Sequence, residues 1–311
     1  MGAVIGRARA KGEDKNAPAA FSQWRYSSNR ALEREPALHR LLRMDTQPRQ
    51  FRHGCPGRMC TMGSKYSGTA LAVAALALGV PAAFGVSAAQ AQSAVQFKAA
   101  DGVTVFASAW PHTGAARAAI VLFHMAGASK SEYASIAPRL AGEGFDVIAV
   151  DQRSGGGPNQ TVAALGRSTE YAAALPDLEA ALAYARERAP GGRVLVWGSS
   201  YSAALVFLLA AKHPGDVAAV LAFSPGEYIA GASVRGAAAR LAVPVYVTSS
   251  SAAGEIASAK AIAAAEAGGR ATQFAPHEGV HGSSTLRKAA NPRGFDENWT
   301  AVESFLKQAA P

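Results

Sequence analysis

The chain is poor in cysteine, and its two cysteines lie close together near the amino terminus. Among 311 residues only Cys55 and Cys60 carry a thiol. The chain beyond residue 61 therefore has no disulfide framework and no cysteine-ligated metal site. It also lacks any internal repeat with a period of about 20–50 residues, which excludes a repeat array.

Net positive charge is scarce outside the first 61 residues. Residues 1–61 hold twelve Lys or Arg against five Asp or Glu, whereas residues 92–311 hold eighteen against seventeen. A net charge of +9 would ordinarily suggest a nucleic acid or an anionic surface as partner. Because residues 92–311 are almost neutral, we expect no nucleic-acid partner.

Residues 62–91 have the layout of a secretory signal peptide. Lys65 supplies a positive charge, an apolar run covers residues 69–86, and Ala-Gln-Ala at residues 89–91 is a small-x-small cleavage site. The alternative is a transmembrane anchor, since the run approaches the length of a membrane span. Pro81 and the many alanines favour cleavage. We therefore expect a periplasmic or secreted protein with no membrane contact beyond export.

The 61 residues before this segment have scattered arginines and no apolar period. Because a signal peptide normally begins a chain, the simplest interpretation is a start codon assigned too early, with translation from Met62 or Met59. The alternative is a disordered basic arm or a targeting extension. The sequence leaves open whether residues 1–61 are translated. We expect the mature protein to be one domain over residues 92–311.

From residue 92 onward, short apolar runs alternate with alanine-rich helical stretches. Eight strands are predicted, over residues 95–98, 103–110, 118–123, 145–150, 193–197, 217–223, 243–249 and 270–275. Helices are predicted over residues 131–143, 169–188, 202–212, 255–267 and 297–308. Asp101-Gly102 predicts a leading antiparallel hairpin. The other strands are continuously apolar, which indicates a parallel sheet with helices on both faces. Only about twenty residues separate Phe223 from Val243, too few for a large lid.

The sharpest chemical signal is a serine between a strand and a helix. Gly198-x-Ser200-x-Ser202 follows an apolar strand and opens a helical stretch. This is the G-x-S-x-G nucleophile elbow with serine in the last glycine's position, where small residues let strand and helix approach closely. The alternative is that Ser200 only caps the helix. Ser199 is a serine at the wrong spacing from Gly198.

Backbone amides near this serine are candidates for an oxyanion hole. An earlier strand ends in Phe-His-Met-Ala-Gly at residues 123–127. In sites of this kind, one N–H comes from that strand end and the other from the residue after the nucleophile. The candidates are Ala126 or Met125 for the first donor and Tyr201 for the second.

A general base is expected in the loop after the last strand. That loop holds His277 and His281, and His281-Gly282 fits a base on a flexible loop at the sheet edge better than His277 does. His124 is interpreted as a structural histidine.

The acid that would orient the base is the least determined of the three candidate catalytic residues. Glu255 is the only carboxylate in the loop after the strand predicted over residues 243–249, where an aspartate would be expected. A glutamate can orient an imidazole as an aspartate does. The alternative is that Glu255 sits in the first turn of the next helix and complements its dipole. Asp151 is interpreted as the anchor of its own loop.

Taken in chain order, these segments resemble the α/β-hydrolase fold family over essentially all of residues 92–311. The nearest similarity is to small, lidless dienelactone hydrolase-like proteins and carboxylesterases. The resemblance implies a serine hydrolase that uses Ser200, His281 and an acid, and needs no metal or organic cofactor. Two departures are Ser202 in place of a glycine and the missing aspartate.

The sequence thus predicts an exported serine hydrolase that acts on a small-molecule ester or a related acyl compound. Two alternatives stay open. One is a non-catalytic binding protein on the same fold, with a triad degraded at the acid. The other is an acyltransferase. Neither the substrate nor the oligomeric state is indicated.

Overall fold

The computed structural model describes residues 92–311. The predicted signal peptide over residues 62–91 and the upstream segment over residues 1–61 lie outside the described residues. Within the described range, no helix is both long enough and apolar enough to cross a membrane.

Eight strands form one sheet in the order β1-β2-β4-β3-β5-β6-β7-β8. Their bounds are Ser93–Lys98, Thr104–Trp110, Ala118–Phe123, Phe145–Asp151, Val194–Ser199, Ala219–Phe223, Val245–Thr248 and Ala271–Phe274, for β1 to β8. β1 pairs antiparallel with β2, and β2 with β4. All other neighbouring strands are parallel. The prediction of an eight-stranded, mostly parallel sheet with a hairpin at one edge is confirmed.

Helices cover both faces of this sheet. The α-helices of the described range are Ala137–Gly142, Gln160–Leu165, Leu175–Arg186, Tyr201–Lys212, Val234–Ala238, Ala253–Ala263 and Phe295–Ala309, for α1 to α7. α1 and α7 pack on one face, and α3 to α6 pack on the other. The connection from β6 to β7 contains only the five-residue α5. No large lid covers the sheet edge in residues 92–311, as predicted.

The central strand β3 explains why the core strands read as unbroken apolar runs. Ile120 and Leu122 face the cluster that includes Trp299 of α7, while Val121 and Phe123 face the α3–α6 side. All four β3 side chains are fully buried. Successive side chains of a strand point to opposite faces, so a strand covered on both faces has no position for a polar residue.

Two predicted helices are each divided near a proline. The segment predicted as a helix over residues 131–143 is a 3₁₀ turn at Lys130–Tyr133 followed by α1, whose first turn contains Pro138. Pro176 has the same place in α3, after a 3₁₀ turn at Tyr171–Ala174. A proline lacks the N–H that a helix interior needs but fits the first turn.

Two short helices are not predicted from the periodicity, although their caps are visible in the sequence. Asn159 caps α2 by accepting a hydrogen bond from Val162 N at 2.9 Å. Gly166 ends the same helix in the left-handed conformation, with φ of 73°. Ser233 caps α5 by accepting from Gly236 N at 3.0 Å. Helices of six and five residues are too short to show an apolar period.

The parallel strands bring the candidate residues to one edge of the sheet. The carboxyl ends of β3, β5, β6, β7 and β8 lie at the same edge, because these strands run in one direction. The segments that leave these ends carry Ala126, Ser200, Ser224, Glu255 and His281, in strand order. In open α/β sheets, ligands bind at this edge.

Candidate active site

Ser200 lies in a strained turn between β5 and α4. Its φ is 59° and its ψ is −122°, a conformation that costs a non-glycine residue on the order of 1–3 kcal/mol. A Cβ on Gly198 would lie only 2.6 Å from Ala203 N and closer still to the Ser202 carbonyl oxygen, so only glycine fits there. The Ser200 N–H donates to Phe223 O at 2.8 Å, which fixes the turn against β6.

The side chains of Ser200, His281 and Glu255 form a continuous hydrogen-bonded row. Ser200 Oγ lies 2.8 Å from His281 Nε2. His281 Nδ1 lies 2.9 Å from Glu255 Oε1. The imidazole therefore bridges a hydroxyl and a carboxylate through its two nitrogens. This is the relation of nucleophile, base and orienting acid in serine hydrolysis.

Glu255 satisfies both of the interpretations that its sequence position allowed. It lies in the first turn of α6, and it also contacts the imidazole of His281. Its Oε2 accepts the Ser250 N–H at 3.1 Å. Burial by itself would raise the pKa of Glu255, but hydrogen bonds from His281 and Ser224 outweigh burial and lower the pKa to about 2. The carboxylate is therefore ionised at neutral pH.

Ser224, which the sequence did not indicate, joins the acid to the histidine loop. It follows β6 and has a positive φ of 55°. Its hydroxyl is one of the groups that lower the pKa of the Glu255 carboxyl. It also accepts the Gly282 N–H at 2.9 Å, directly after His281. A serine directly after the apolar run that ends at Phe223 is the sequence signal that could have pointed to it.

The three candidate oxyanion amides differ in their surroundings. The Met125 N–H donates to Glu132 Oε2 at 2.8 Å and is already engaged. The Ala126 N–H has no acceptor among residues 92–311, and Ala126 is exposed. Tyr201 is the first residue of α4, where an N–H has no partner within the helix. The candidate amides with no acceptor among residues 92–311 are thus those of Ala126 and Tyr201.

The other histidines near the sheet edge have partners of their own. The His277 side chain is 94% exposed, and its Nδ1 lies 2.8 Å from Glu297 Oε1. His124 is fully buried, with Nδ1 at 2.9 Å from Met125 O and Nε2 accepting the Gln152 N–H at 3.1 Å. Burial lowers the pKa of His124 to about 4. Its structural interpretation agrees with these contacts.

Ser199 and Asp151 likewise bind groups other than the Ser200 hydroxyl. Ser199 is fully buried, and its Oγ donates to Glu132 Oε1 at 2.7 Å. The Asp151 carboxylate accepts the backbone N–H groups of Lys130 and Gln160 at 2.7 and 2.9 Å. Asp151 thereby anchors the loop that follows β4.

Ser202 does more than replace a glycine. Its Oγ donates to the carbonyl of His124 at 2.6 Å and accepts from Gln152 Nε2 at 2.8 Å. It therefore ties the start of α4 to the ends of β3 and β4. A glycine at this position would make neither contact.

A buried glutamate is the second residue that the sequence did not indicate. Glu132, in the 3₁₀ turn after β3, is only 5% exposed. Burial raises the pKa of its carboxyl. Its position as the sole carboxylate between β3 and α1 was the available signal. Its contacts could not be read from spacing, because they join segments distant in the chain.

Aromatic side chains pack beside the elbow. The Tyr201 ring is buried and stacks on Tyr171 with 4.3 Å between ring centroids. Its hydroxyl lies 2.8 Å from Ser154 Oγ. Tyr201 is therefore part of the core through its side chain and part of the site through its amide.

No group of three or more His, Cys, Asp or Glu side chains within residues 92–311 is arranged to hold a metal ion. The residues around Ser200 instead form a hydrogen-bonded row of hydroxyl, imidazole and carboxylate. In such a row a proton can pass from the hydroxyl to the imidazole, and the hydroxyl oxygen can then form a covalent acyl bond.

Comparison with protein families supports a hydrolase function. A family model described as serine aminopeptidase, S33, matches residues 114–266. The matched segment contains Ser200 and Glu255 and ends before His281. A search of curated proteins finds no match to the sequence.

Solved structures share the fold. An esterase from Pyrococcus furiosus aligns with a TM-score of 0.55 at 16% identity, over 71% of this chain and 92% of that protein. A highly thermostable carboxyl esterase from Bacillus coagulans aligns with a TM-score of 0.57 at 11% identity, over 71% and 99%. A dienelactone hydrolase-like promiscuous phosphotriesterase from metagenomic libraries aligns with a TM-score of 0.51 at 17% identity, over 71% and 100%.

Proposed function

We propose that this chain, which has the α/β-hydrolase fold, is an exported serine hydrolase that cleaves an ester or a related acyl bond. The observation that carries the proposal is the hydrogen-bonded row of Ser200, His281 and Glu255. The row lies at the carboxyl edge of the sheet, beside two amides that are available to a ligand. The names of the structural neighbours, two of them esterases, support ester cleavage in particular.

In the first step, Ser200 Oγ attacks the carbonyl carbon of the substrate while its proton passes to His281 Nε2. The 2.8 Å separation allows this transfer without any movement of the imidazole. A tetrahedral intermediate forms and then collapses as His281 gives the proton to the leaving group. Water, activated by the same imidazole, hydrolyses the acyl-enzyme in the second step.

Glu255 acts on His281 rather than on the substrate. Its carboxylate accepts from Nδ1 and thereby holds the tautomer in which Nε2 can take the serine proton. It also stabilises the imidazolium that forms in the transition state. Because the pKa of Glu255 is about 2, this charge is present at any pH at which His281 acts as a base.

The amides of Ala126 and Tyr201 are the donors to the oxyanion. Removal of one such donor typically costs about 10²–10³-fold in kcat. Met125 does not act as a donor here, because its N–H already binds Glu132. The positive end of the α4 dipole, at Tyr201, favours the same negative oxygen.

The alternative of a non-catalytic binding protein rested on the absence of an aspartate after β7. Glu255 fills that role geometrically, which favours catalysis over a degraded triad. An acyltransferase would use the same residues, and only the acceptor would differ. Product analysis with an added alcohol or amine separates transfer from hydrolysis.

The decisive experiment compares the wild-type domain with Ser200→Ala. We expect a fluorophosphonate probe to label residue 200 in the wild type alone. Hydrolysis of a p-nitrophenyl ester should fall by several orders of magnitude in the variant, as for loss of a triad nucleophile. The Ser93→Ala variant is a matched control, since Ser93 is an exposed serine on the edge strand β1. Undiminished turnover by Ser200→Ala would remove Ser200 from the mechanism.

Export is the second element of the proposal. It rests on the charge at Lys65, the apolar run at residues 69–86 and the Ala-Gln-Ala site at residues 89–91. Amino-terminal sequencing of the protein recovered outside the cytoplasm should begin near Gln92. Recovery of residues 1–61 on that protein would contradict both the cleavage and the start at Met62 or Met59.

A further inference from the structure

Glu132 is a buried carboxylate to which the proposed reaction gives no direct role. It lies in the 3₁₀ turn Lys130–Tyr133, close to the end of β3, and is 5% exposed. A charged or polar side chain at such depth is costly unless it is hydrogen-bonded. The hydrogen-bond partners of its two oxygens therefore show which parts of the site it connects.

Each carboxylate oxygen binds a different part of the site. Oε2 accepts the N–H of Met125, at the start of the loop that carries the Ala126 amide. Oε1 accepts the hydroxyl of Ser199 at 2.7 Å, and Ser199 directly precedes Ser200. One side chain thus connects the oxyanion loop with the strand end that carries the nucleophile.

The same network extends to the histidine loop. Ser199 Oγ accepts the Ser283 N–H at 2.9 Å, two residues after His281. A Cβ on Gly282 would collide with Ser199 Oγ, so the loop passes directly over this hydroxyl. Ser283 in turn accepts from Trp197 Nε1 at 2.8 Å, which ties it to β5.

The peptide between His124 and Met125 is held from both sides. Its carbonyl accepts from Ser202 Oγ at 2.6 Å, and its N–H donates to Glu132 at 2.8 Å. A peptide unit is planar, so fixing both of its polar groups fixes its plane. The next N–H along the chain is that of Ala126. That N–H belongs to the following peptide, whose carbonyl oxygen, Met125 O, lies 2.9 Å from His124 Nδ1 and accepts the Ala128 N–H at 3.2 Å. Glu132 therefore anchors the start of the oxyanion loop, and these contacts continue the anchoring to the Ala126 peptide.

We propose that Glu132 is a positioning residue that keeps the oxyanion loop, the nucleophile elbow and the histidine loop in register for catalysis. This role rests on the proposed function, since it acts through the Ala126 amide and through Ser200. A misplacement of about 1 Å in such a site can cost 10²-fold in rate. Loss of Glu132 should therefore reduce kcat much more than it changes KM.

The test compares two substitutions of similar length. Glu132→Gln keeps an acceptor for the Met125 N–H and can bond to Ser199, whereas Glu132→Met keeps the size and loses both acceptors. We expect Glu132→Met to lower kcat for a p-nitrophenyl ester by roughly 10²-fold with KM nearly unchanged, as for an interaction made in the transition state. Glu132→Gln should retain most of the wild-type kcat. The rate of fluorophosphonate labelling at Ser200 should follow the same order.

Glu266 provides a matched control. It too is a buried glutamate, and it accepts the N–H groups of Gly268 and Arg270 in the turn after α6. Glu266→Met should lower the free energy of unfolding without changing kcat. If Glu132→Met likewise loses stability but keeps its kcat, the positioning role is overturned. An equal loss of kcat in Glu132→Gln and Glu132→Met would overturn it too, because charge rather than acceptor geometry would then matter.

A milder variant covers the case in which Glu132→Met does not fold. Ser199→Ala removes one of the two Glu132 contacts and the acceptor of Ser283 N–H. It should lower kcat by about 10-fold with KM nearly unchanged, a smaller loss than that of a full oxyanion donor. An unchanged kcat in Ser199→Ala would overturn the proposal. Failure of wild-type turnover, or full activity in Ser200→Ala, would instead refute the proposed function, and the positioning role would fall with it.

Discussion

The carboxylate of Glu255 makes a contact with His281 that a residue complementing a helix dipole would not need. Glu255→Gln keeps the shape of the side chain but removes the charge that stabilises the imidazolium. We expect kcat to drop by at least roughly 10²-fold, since the corresponding change in a serine triad costs about 10⁴-fold. Steady-state kinetics with a p-nitrophenyl ester measures the loss. Urea unfolding of the same variant reports whether the fold is retained.

A purely structural role for Glu255 predicts a different result. Complementing the dipole of α6 contributes about 0.3–1 kcal/mol to stability and nothing to turnover. A Glu255→Gln enzyme with nearly wild-type kcat would leave a Ser200–His281 dyad as the better description. It would also favour an acid that follows another strand.

Single residues differ in how far the sequence could identify them. Ser200 and His281 stand out because a short motif and a strand-end position point to each, and the structure brings their side chains within 2.8 Å. Glu132 and Ser224 belong to no recognisable sequence motif. Their partners, Ser199, Met125 and Gly282, lie at or after the ends of three different strands, so only the folded chain reveals these contacts.

At the scale of the element, the close approach of β5 and α4 depends on Gly198. A Cβ there would overlap the backbone of Ser202 and Ala203, which cannot move without shifting the helix. Gly198→Ala should therefore lower the free energy of unfolding by about 3 kcal/mol, the upper range for overpacking. It should also reduce turnover, because Ser200 would move with the turn. The midpoint of urea denaturation measures the first effect.

Gly142 is the control for this substitution. It is the last residue of α1, where a Cβ would meet no atom within 4 Å. Gly142→Ala should leave the protein as stable or stabilise it by about 0.5–1 kcal/mol, because alanine loses less backbone entropy in a helix. Equal midpoints for Gly198→Ala and Gly142→Ala would show that the β5–α4 contact tolerates side chains.

The elements themselves were largely predictable, and the exceptions share a cause. All eight strands were predicted, since buried parallel strands leave long apolar runs. α2 and α5 were missed because six and five residues complete too few turns for a period to appear. The local signs of these helices were the caps Asn159 and Ser233 and the glycine, Gly166, that ends α2.

At the scale of the whole molecule, His124 makes stability depend on pH. Burial lowers its pKa from 6.5 to about 4, so between these values the unfolded chain binds a proton that the folded chain does not. The free energy of unfolding should fall as pH decreases from about 6.5 to 4, by up to ~3 kcal/mol from this group. Below pH 4 the contribution levels off. Urea titrations at several pH values measure the slope.

The variant His124→Gln isolates this contribution. Burial raises the pKa of Glu132 and Asp177, and these carboxyls act with the opposite sign as pH decreases. Both proteins contain them, so the difference between the two pH profiles belongs to His124. Identical profiles would mean that the imidazole does not stay neutral in the folded protein.

The strained backbone of Ser200 has a consequence for the selection of more stable variants of this protein. Glycine adopts a positive φ without steric penalty, so Ser200→Gly relieves strain that the serine maintains. A screen of random variants by heat resistance or soluble yield alone would enrich this replacement, and with it proteins that have lost their nucleophile. Such a screen has to measure turnover as well as stability, because at this position the substitution that increases stability removes activity.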